Sequence, residues 1–333
     1  MKPLLTSSLA GLFAAAFVGF VTLTLVPAGC GHTSGPALPK YFGQGVAEPA
    51  GDVHPRPEIL ETRTIAGVGA GQGLALRDGM VYIYGDAETG IIRECRVVRT
   101  VGETPRLEPT GRDIALTRDG EDIAPHPTGL AFLDDGTALL GNTVNRVGTI
   151  LHIDWSRALA DRTLDNAVRR IIRDDAAVNG TRPEAVRLPP PGGGRALDTY
   201  IATSDYGDVD NAVRIMDPGR LVNSQRTGTP GVVVASWACG PFVQSLHWLE
   251  RDNGRMLVLV QNISAGLGYR LTFIRMANPK DKWDLSEHPS IDLAWPTDEL
   301  EGFAMLGDEY FAMVSASREN NVHIGRLRWV EHE

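Results

Sequence analysis

A short pattern that returns five times along the chain limits what this sequence can fold into. Each copy places a polar residue, a small residue and an aliphatic or aromatic residue at the start of a strand-like run. The copies are Gln72-Gly73-Leu74, Thr128-Gly129-Leu130, Glu184-Ala185-Val186, Gln244-Ser245-Leu246 and Glu301-Gly302-Phe303. Successive copies are 56 to 60 residues apart. A nearly constant period of this kind indicates a repeat architecture in which each repeat is one supersecondary unit.

Each repeat also contains a second apolar strand that ends in polar residues. These second strands are predicted at residues 82–86, 138–142, 200–204, 257–261 and 311–315. Hairpin signals such as Asp78-Gly79, Asp135-Gly136 and Asn253-Gly254 separate the two strands. A repeat of this length has room for two more strands, and four antiparallel strands form one blade of a β-propeller. The sequence therefore predicts an all-β fold, a five-bladed β-propeller.

The two ends of the repeat region are expected to share one blade. The chain after Glu301 has room for three strands, and residues 59–66 supply the fourth and close the ring. A six-bladed propeller is the alternative, but it needs one more repeat than the chain contains. Residues 156–175 interrupt the pattern, because Ala158, Leu164 and Val168 recur at roughly helical intervals. They predict a short helix inserted in the second blade.

The first thirty residues have the composition of an export signal. Lys2 precedes a run without charge over residues 9–26, and Pro27-Ala28-Gly29-Cys30 resembles a bacterial lipobox. This resemblance implies cleavage after residue 29 and a lipid on Cys30 that anchors the protein to a membrane. Lipoboxes usually have an aliphatic residue where Pro27 stands, so an uncleaved N-terminal anchor is the alternative. We expect a signal at 1–29, a flexible tether at 30–56 and the propeller at 57–333, in the bacterial cell envelope and facing the periplasm or the exterior.

Charge and cysteine content narrow the possible partners. The formal net charge is −9, and no basic run is present that would bind phosphates along a strand. Nucleic acid is therefore not an expected partner. Besides Cys30 the chain has only Cys95 and Cys239. A disulfide between them is compatible with export, although two buried free thiols agree better with their strand-like surroundings.

Polar side chains are predicted to meet at one end of the central channel. The start of each innermost strand and the end of the next strand lie on the same face, because the two strands run antiparallel. The predicted channel ring is Gln72, Thr128, Glu184, Gln244 and Glu301. Carboxylate and amide oxygens of this kind suit Ca²⁺. The predicted calcium ligands are Glu184, Glu301, Asp86, Asn142, Asp205 and Asn262. A channel that holds only water is the alternative.

Two blade-opening segments resemble those of a known propeller superfamily. They are His126-Pro127-Thr128-Gly129-Leu130-Ala131-Phe132 and Asp298-Glu299-Leu300-Glu301-Gly302-Phe303-Ala304. Both are similar to segments of the gluconolactonase group, the paraoxonase-like lactonases and the phytase-like esterases. The resemblance implies a channel calcium ion and hydrolysis of lactones or esters, although most of those families have six blades. Five-bladed calcium-dependent nucleotidases share Glu-Gly-Phe, but no Lys/Arg cluster for phosphate is present in this sequence.

Two classes of function follow from these observations. The first is a lipid-anchored envelope propeller that binds an unknown small molecule or envelope protein at its polar channel. The second is a calcium-dependent hydrolase of esters, lactones or phosphate esters that uses the same channel, with His126 as a general base. No Gly-x-Ser-x-Gly elbow and no His-Glu-x-x-His motif occurs in the sequence, which disfavours serine hydrolases and zinc proteases.

Overall fold

The computed structural model describes residues 53–190, 197–207, 211–251, 254–263, 268–279, 285–294 and 298–331. In this part of the chain the strands form five four-stranded antiparallel sheets, together with one two-stranded hairpin. The predicted five-bladed β-propeller is confirmed. The predicted signal, Cys30 and the predicted tether up to residue 52 lie outside the described residues.

Four of the blades follow one another along the chain, and each runs from its innermost to its outermost strand. The first blade is β2 (Ala70–Arg77), β3 (Met80–Asp86), β4 (Gly90–Val98) and β5 (Arg106–Ala115). A small hairpin follows, β6 (Thr117–Arg118) and β7 (Glu121–Asp122). The second blade is β8 (Pro127–Phe132), β9 (Thr137–Val144), β10 (Val147–Asp154) and β11 (Val168–Arg173). The third blade is β12 (Glu184–Leu188), β13 (Asp198–Thr203), β14 (Ala212–Met216) and β15 (Val233–Ala238). The fourth blade is β16 (Val243–Arg251), β17 (Gly254–Asn262), β18 (Gly268–Arg275) and β19 (Ser290–Ala294).

The fifth blade closes the ring with strands from both ends of the described chain. It consists of β20 (Leu300–Gly307), β21 (Tyr310–Ser315), β22 (Val322–Glu331) and β1 (Val53–Arg63), and β1 pairs with β22 along its whole length. The closing strand thus begins at Val53, so the predicted tether boundary at 56 and the predicted strand 59–66 are both displaced. The Gly- and Pro-rich composition up to residue 56, which includes Pro55, predicted a tether. However, β1 is an edge strand, where a proline without an N–H is tolerated.

The core of the described chain lies between the blades. Its five clusters of buried apolar residues correspond to the five blade interfaces. In β9, Ala138 and Leu140 pack toward the first blade, whereas Leu139 packs toward the third. Successive side chains of a strand point to opposite faces, so a middle strand that is covered on both faces has a continuous apolar run. Between the first two blades, the ring of Trp155 packs edge-on against Tyr82 with centroids 4.9 Å apart.

The predicted helix at 156–175 is wrong over its second half. Helix α1 covers only Trp155–Asp161, with Asp154 as its N-cap and Arg162 in the left-handed conformation at its end. The chain then returns as β11, which pairs with β10. The apolar intervals over 156–175 therefore combine a short helix with a strand. A second short helix, α2 (Pro218–Val222), was not predicted; it begins after the N-cap Asp217. A 3-10 turn at Leu285–Glu287 precedes β19.

Two further features of the described chain concern its cysteine thiols and the length of its helices. Cys95 and Cys239 are both buried free thiols, as the sequence favoured. Burial raises the pKa of each thiol to about 12, so both are neutral. Within the described ranges, no helix is long and apolar enough to cross a membrane.

Candidate functional site in the central channel

The innermost strands of four blades carry a β-bulge at the predicted polar position. In β2, β8, β16 and β20, the pairing with the neighbouring strand skips one residue. The skipped residues are Gln72, Thr128, Gln244 and Glu301. A bulge redirects the side chain of the extra residue. All four side chains are buried, and they form four positions of a ring around the channel axis.

In the third blade the ring position is occupied by Arg182 and not by Glu184. The hydroxyl of Thr128 in the second blade donates to the carbonyl oxygen of Thr181 at 2.6 Å, and Arg182 Nε donates to the carbonyl oxygen of Gln244 at 2.8 Å. The Thr181–Arg182 segment therefore links the ring residues of the second and fourth blades. Glu184 lies two residues further along, already paired with Ala202 inside β12. The predicted register of the third repeat is wrong by two residues.

The guanidinium of Arg182 is held by backbone carbonyls. Besides its bond to Gln244, Nη1 donates to the carbonyl oxygens of Gly180 at 3.1 Å and Asn179 at 3.5 Å. Its Cζ lies 5.5 Å from the ring centre of Tyr206, at cation–π distance. Burial lowers the pKa of Arg182, and the nearby carboxylates of Glu301 and Asp205 oppose this. The ring thus contains a buried cation that was not expected from the sequence.

A cavity of about 430 Å³ opens at the top face, the face at which the innermost strands begin. Its walls include ring residues and residues from the surrounding loops. They are Gln72, Arg182, Gln244, Glu301, His126, Tyr206, Glu299, Arg146 and Asn179, with further small contributions from neighbouring loop residues. The wall combines amides, carboxyl groups, an imidazole, an aromatic hydroxyl and the guanidinium groups of Arg146 and Arg182.

Glu301 and Glu299 form the acidic side of this cavity. Glu301 is buried, whereas Glu299 is exposed. Burial raises the pKa of Glu301 well above its usual value; Glu299 adds to this effect and Arg182 opposes it. Gln244 Nε2 donates to Glu299 Oε2 at 3.3 Å. The raised pKa means that the carboxyl of Glu301 takes up a proton more readily than an exposed carboxyl does.

Asp86, His126 and Asn142 lie together beside the ring, as the sequence predicted. His126 Nδ1 is 3.4 Å from Asp86 Oδ2, and the imidazole is 39% exposed. Asp86 Oδ2 also accepts a long hydrogen bond of 3.5 Å from Gln72 Nε2. Asn142 Oδ1 accepts from the backbone N–H of His126 at 3.2 Å. Asn142 therefore positions the loop that holds His126.

Asp205, Asn262 and Tyr206 lie on the opposite side of the top face. The carboxylate of Asp205 accepts backbone N–H groups from Val178 at 3.1 Å and from Asn179 at 2.9 Å. Asn262 is buried and forms a side-chain hydrogen bond with Tyr206. Burial raises the pKa of Tyr206, and Glu299 raises it further. Asp205 thus fixes the loop whose carbonyl groups hold Arg182.

The six predicted calcium ligands are not brought together as one set. Glu184 lies elsewhere in the channel, while Asn142 and Asp205 already bond to backbone N–H groups. Among the described residues, no three His, Cys, Asp or Glu side chains are close enough to hold a metal ion. Arg182 also places a positive charge in the ring. These residues do not fit the predicted calcium site as they stand, and calcium binding stays a prediction.

Below the ring the channel narrows to a constriction. Leu74, Leu130 and Leu246 each follow a ring residue by two positions, and they line this constriction with Glu184. It leaves no space for a water molecule between the described side chains. Phe303 has the same place in the closing blade and is also buried. Glu184 is therefore the one charged-type side chain among the five described residues at this level, and it lies below the ring.

The important residues that the sequence did not assign to the site are Arg182, Tyr206 and Glu299. The pattern of polar, small and apolar residues matched Glu184-Ala185-Val186, and Arg182-Pro183-Glu184 does not follow it. Tyr206 and Glu299 each lie within two residues of a predicted site residue, and this proximity was the only signal available for them. His247 lies three residues after Gln244, on the part of β16 that leads to the other face.

Comparisons with known proteins concern the fold. No family model and no curated protein matches this chain. An aldose sugar dehydrogenase from Streptomyces coelicolor in its PQQ-bound form has 11% identity and a TM-score of 0.32, covering 82% of this chain and 98% of that one. A candidate gluconolactonase has 13% identity and a TM-score of 0.33, covering 89% and 98%. The Dos1 propeller has 11% identity and a TM-score of 0.34, covering 82% and 63%. At these values the similarities carry no argument about activity.

Proposed function

We propose that this protein is a cell-envelope β-propeller, anchored through a lipid on Cys30, that binds a small polar ligand in the top-face cavity. The observation that supports the proposal is the cavity of about 430 Å³ with Arg182, Glu301 and Tyr206 in its wall. Binding cavities of a few hundred Å³ with a small number of convergent polar groups are typical of small-molecule sites.

The wall chemistry favours an uncharged ligand with several hydroxyl or amide groups. Gln72 and Gln244 each offer an amide donor and an amide acceptor, and the carboxyl of Glu301 offers acceptor oxygens. The wall contains the guanidinium groups of Arg182 and Arg146 as well as the carboxyl groups of Glu299 and Glu301, so it presents both signs of charge and does not select strongly for a net charge. The ring of Tyr206 provides a flat face against which an apolar side of the ligand packs.

The ligand assay compares two variants of the wall with one exposed control. The full chain is titrated with a panel of small polyols, saccharides and amides, and binding is followed by calorimetry and by the shift in melting temperature. We expect Glu301→Gln and Tyr206→Leu to weaken binding of any hit about tenfold, in line with the loss of one buried hydrogen-bond or stacking contact. Glu103→Gln, on the exposed surface, is the control. If a ligand binds both wall variants as tightly as the wild type, it does not bind at this site. If only envelope proteins bind, the top face is a surface for a protein partner.

A second candidate function is hydrolysis of esters or lactones in the same cavity. The observation that favours it is the His126–Asp86 pair, because a carboxylate that orients a partly exposed imidazole is a common general-base arrangement. His126→Gln tests this candidate. Loss of ester or lactone turnover with retained ligand affinity supports hydrolysis, and equal turnover in the variant rejects it.

A further inference from the structure

A second cavity, of about 650 Å³, opens at the bottom face, the face at which the innermost strands end. It lies on the other side of the apolar constriction from the top cavity. Its walls combine polar groups with apolar side chains, among them Leu76, Leu130, Phe132 and Met305. None of the functions discussed above uses this cavity.

Glu184 is the polar residue at the inner end of this cavity. It belongs to the same layer as Leu74, Leu130, Leu246 and Phe303, which are all buried apolar side chains. Its own side chain is 17% exposed and lines the cavity. A carboxyl group in an apolar layer loses hydration and is unfavourable unless a partner compensates it.

The partners of Glu184 in the protein satisfy only one of its two oxygens. Oε1 accepts the backbone N–H of Trp248 at 2.7 Å and lies 3.7 Å from His247 Nδ1. His247 Nε2 accepts the backbone N–H of Met305 at 3.1 Å, so the hydrogen of the neutral ring is on Nδ1. Oε2 has no hydrogen-bond partner among the described residues. One carboxyl oxygen thus remains available to a ligand.

Within the described ranges, no cation neutralises this carboxyl group. Arg182, two residues away, is bound to backbone carbonyl groups at the ring. Burial lowers the pKa of His247 to about 4, so the imidazole is neutral. Burial also raises the pKa of Glu184 to about 8, because no partner stabilises its charged form enough. A buried carboxyl without a cation gains more from a bound positive charge than an exposed one.

Glu250, Asp308 and Arg251 are the further charged residues that line the cavity. Asp308 pairs with Arg99 at 3.4 Å. The Cζ of Arg251 lies 5.1 Å from the ring centre of Trp329, which draws it to one side. Trp248 Nε1 donates to Glu250 Oε1 at 3.0 Å and so fixes the indole at the wall.

We infer that the bottom cavity is a binding site for a small organic cation, a primary ammonium with a short apolar body. The ammonium group binds Glu184 Oε2, and the apolar body packs against Leu130, Phe132 and the indole of Trp248. The ammonium supplies the hydrogen-bond donors that Oε2 lacks and a positive charge that favours the ionised carboxyl, so binding releases the proton of Glu184 to solvent. An aromatic wall beside a cation adds a favourable cation–π contact. The inference does not depend on the top-face proposal, since the two cavities share no wall residue.

The test uses three probes of nearly equal shape on the full chain: n-butylammonium, n-butanol and n-butyrate. Binding is measured by ligand-detected NMR and by the shift in melting temperature. We expect n-butylammonium to bind at least tenfold more tightly than n-butanol, and n-butyrate to bind more weakly than either. Glu184→Gln keeps an acceptor for Trp248 N–H and is expected to remove the preference for the ammonium. Glu103→Gln, which changes an exposed carboxylate by the same atoms, is expected to leave it unchanged.

A second variant guards against a folding defect in Glu184→Gln. Trp248→Leu keeps an apolar wall but removes the aromatic ring, and it is expected to weaken n-butylammonium binding several-fold with little effect on n-butanol. The inference is overturned if n-butanol binds as tightly as n-butylammonium, or if folded Glu184→Gln retains the full preference. It is also overturned if Glu103→Gln removes the preference, because the ammonium then binds the general acidic surface.

Discussion

The third blade contributes one charged residue to the top ring and another to the apolar layer below it, and the surroundings of the two residues differ. At the top ring, four blades contribute Gln72, Thr128, Gln244 and Glu301, and the third contributes a cation, Arg182. Two residues further along, four blades contribute apolar side chains and the third contributes an acid, Glu184. The third blade thus supplies the exceptional charge at both levels.

The two charges are compensated to different degrees. Arg182 bonds to three backbone carbonyl groups, faces an aromatic ring and has carboxylates nearby. Glu184 has one backbone N–H and a neutral imidazole. A compensated buried charge contributes to the structure, whereas an uncompensated one costs stability and is typical of a functional position. The comparison therefore assigns a mainly structural role to Arg182 and a binding role to Glu184.

The largest expected effect comes from removing the compensated charge. Arg182→Met leaves the carbonyl oxygens of Gln244 and Gly180 without their donors, and we expect a loss of about 2–4 kcal/mol in the free energy of unfolding. Arg146→Met is the control, because Arg146 lines the same cavity but is exposed. Urea denaturation of both variants measures the difference. A loss below about 1 kcal/mol for Arg182→Met would contradict the structural role.

The second effect concerns the pH dependence of stability at Glu184. Its pKa is raised from 4.5 to about 8 in the folded state. An acid with a raised folded pKa is neutral in the fold but ionised in the unfolded chain, so its contribution to stability falls as pH rises from about 4.5 to 8. Glu184→Gln should match the wild type near pH 4.5 and exceed it by roughly 2–3 kcal/mol near pH 7.5.

Denaturation curves across this pH window measure the effect at Glu184, and Glu250→Gln is the matched control from the same cavity. Glu250 is exposed, so its replacement should leave the pH slope as it is. If the free energies of unfolding of Glu184→Gln and of the wild type change in parallel with pH, then a partner stabilises the charged form of Glu184 in solution. Arg182 and Glu184 would then not differ in how well their charges are compensated.

The smallest expected effect is that of calcium at the top face. Arg182 occupies the ring, and Asp205 and Asn142 already bind backbone groups, so we expect millimolar Ca²⁺ to stabilise the protein by less than about 0.5 kcal/mol. Melting curves with Ca²⁺ and with a chelator measure this. A larger calcium-dependent shift in melting temperature that is absent in Glu301→Gln would support the calcium prediction and place the metal site in the top cavity.

Much of the architecture was predictable because a propeller repeats its local chemistry. The five strand openings and the five second strands were placed from polarity, turn residues and spacing alone. The helix at 156–175 was only half correct, because an apolar interval does not distinguish a helix from a strand over a few residues. The closing strand began earlier than predicted, because Pro55 and Pro57 are acceptable on an edge strand and in a tether alike.

The candidate site was predictable only in part. Gln72, Thr128, Gln244 and Glu301 took the expected ring positions, since each directly precedes the small residue of its repeat. Arg182 was missed because the loose pattern of polar, small and apolar residues also fits Glu184-Ala185-Val186. In addition, the innermost strand of the third blade has no bulge, so its register differs from that of the four strands that have a bulge.

The sequence by itself determined the number of blades, the order of their strands and four of the five ring residues. These features depend on alternation and turns, which are properties of neighbouring residues along the chain. Only the tertiary structure decided that the third blade places a cation at the ring and an acid in the apolar layer. The register of β12 is set by its contacts with the second and fourth blades, and a shift by two residues keeps the same alternation of inward and outward side chains. The periodicity of the sequence is unchanged by such a shift, while the charge at each level of the channel changes completely.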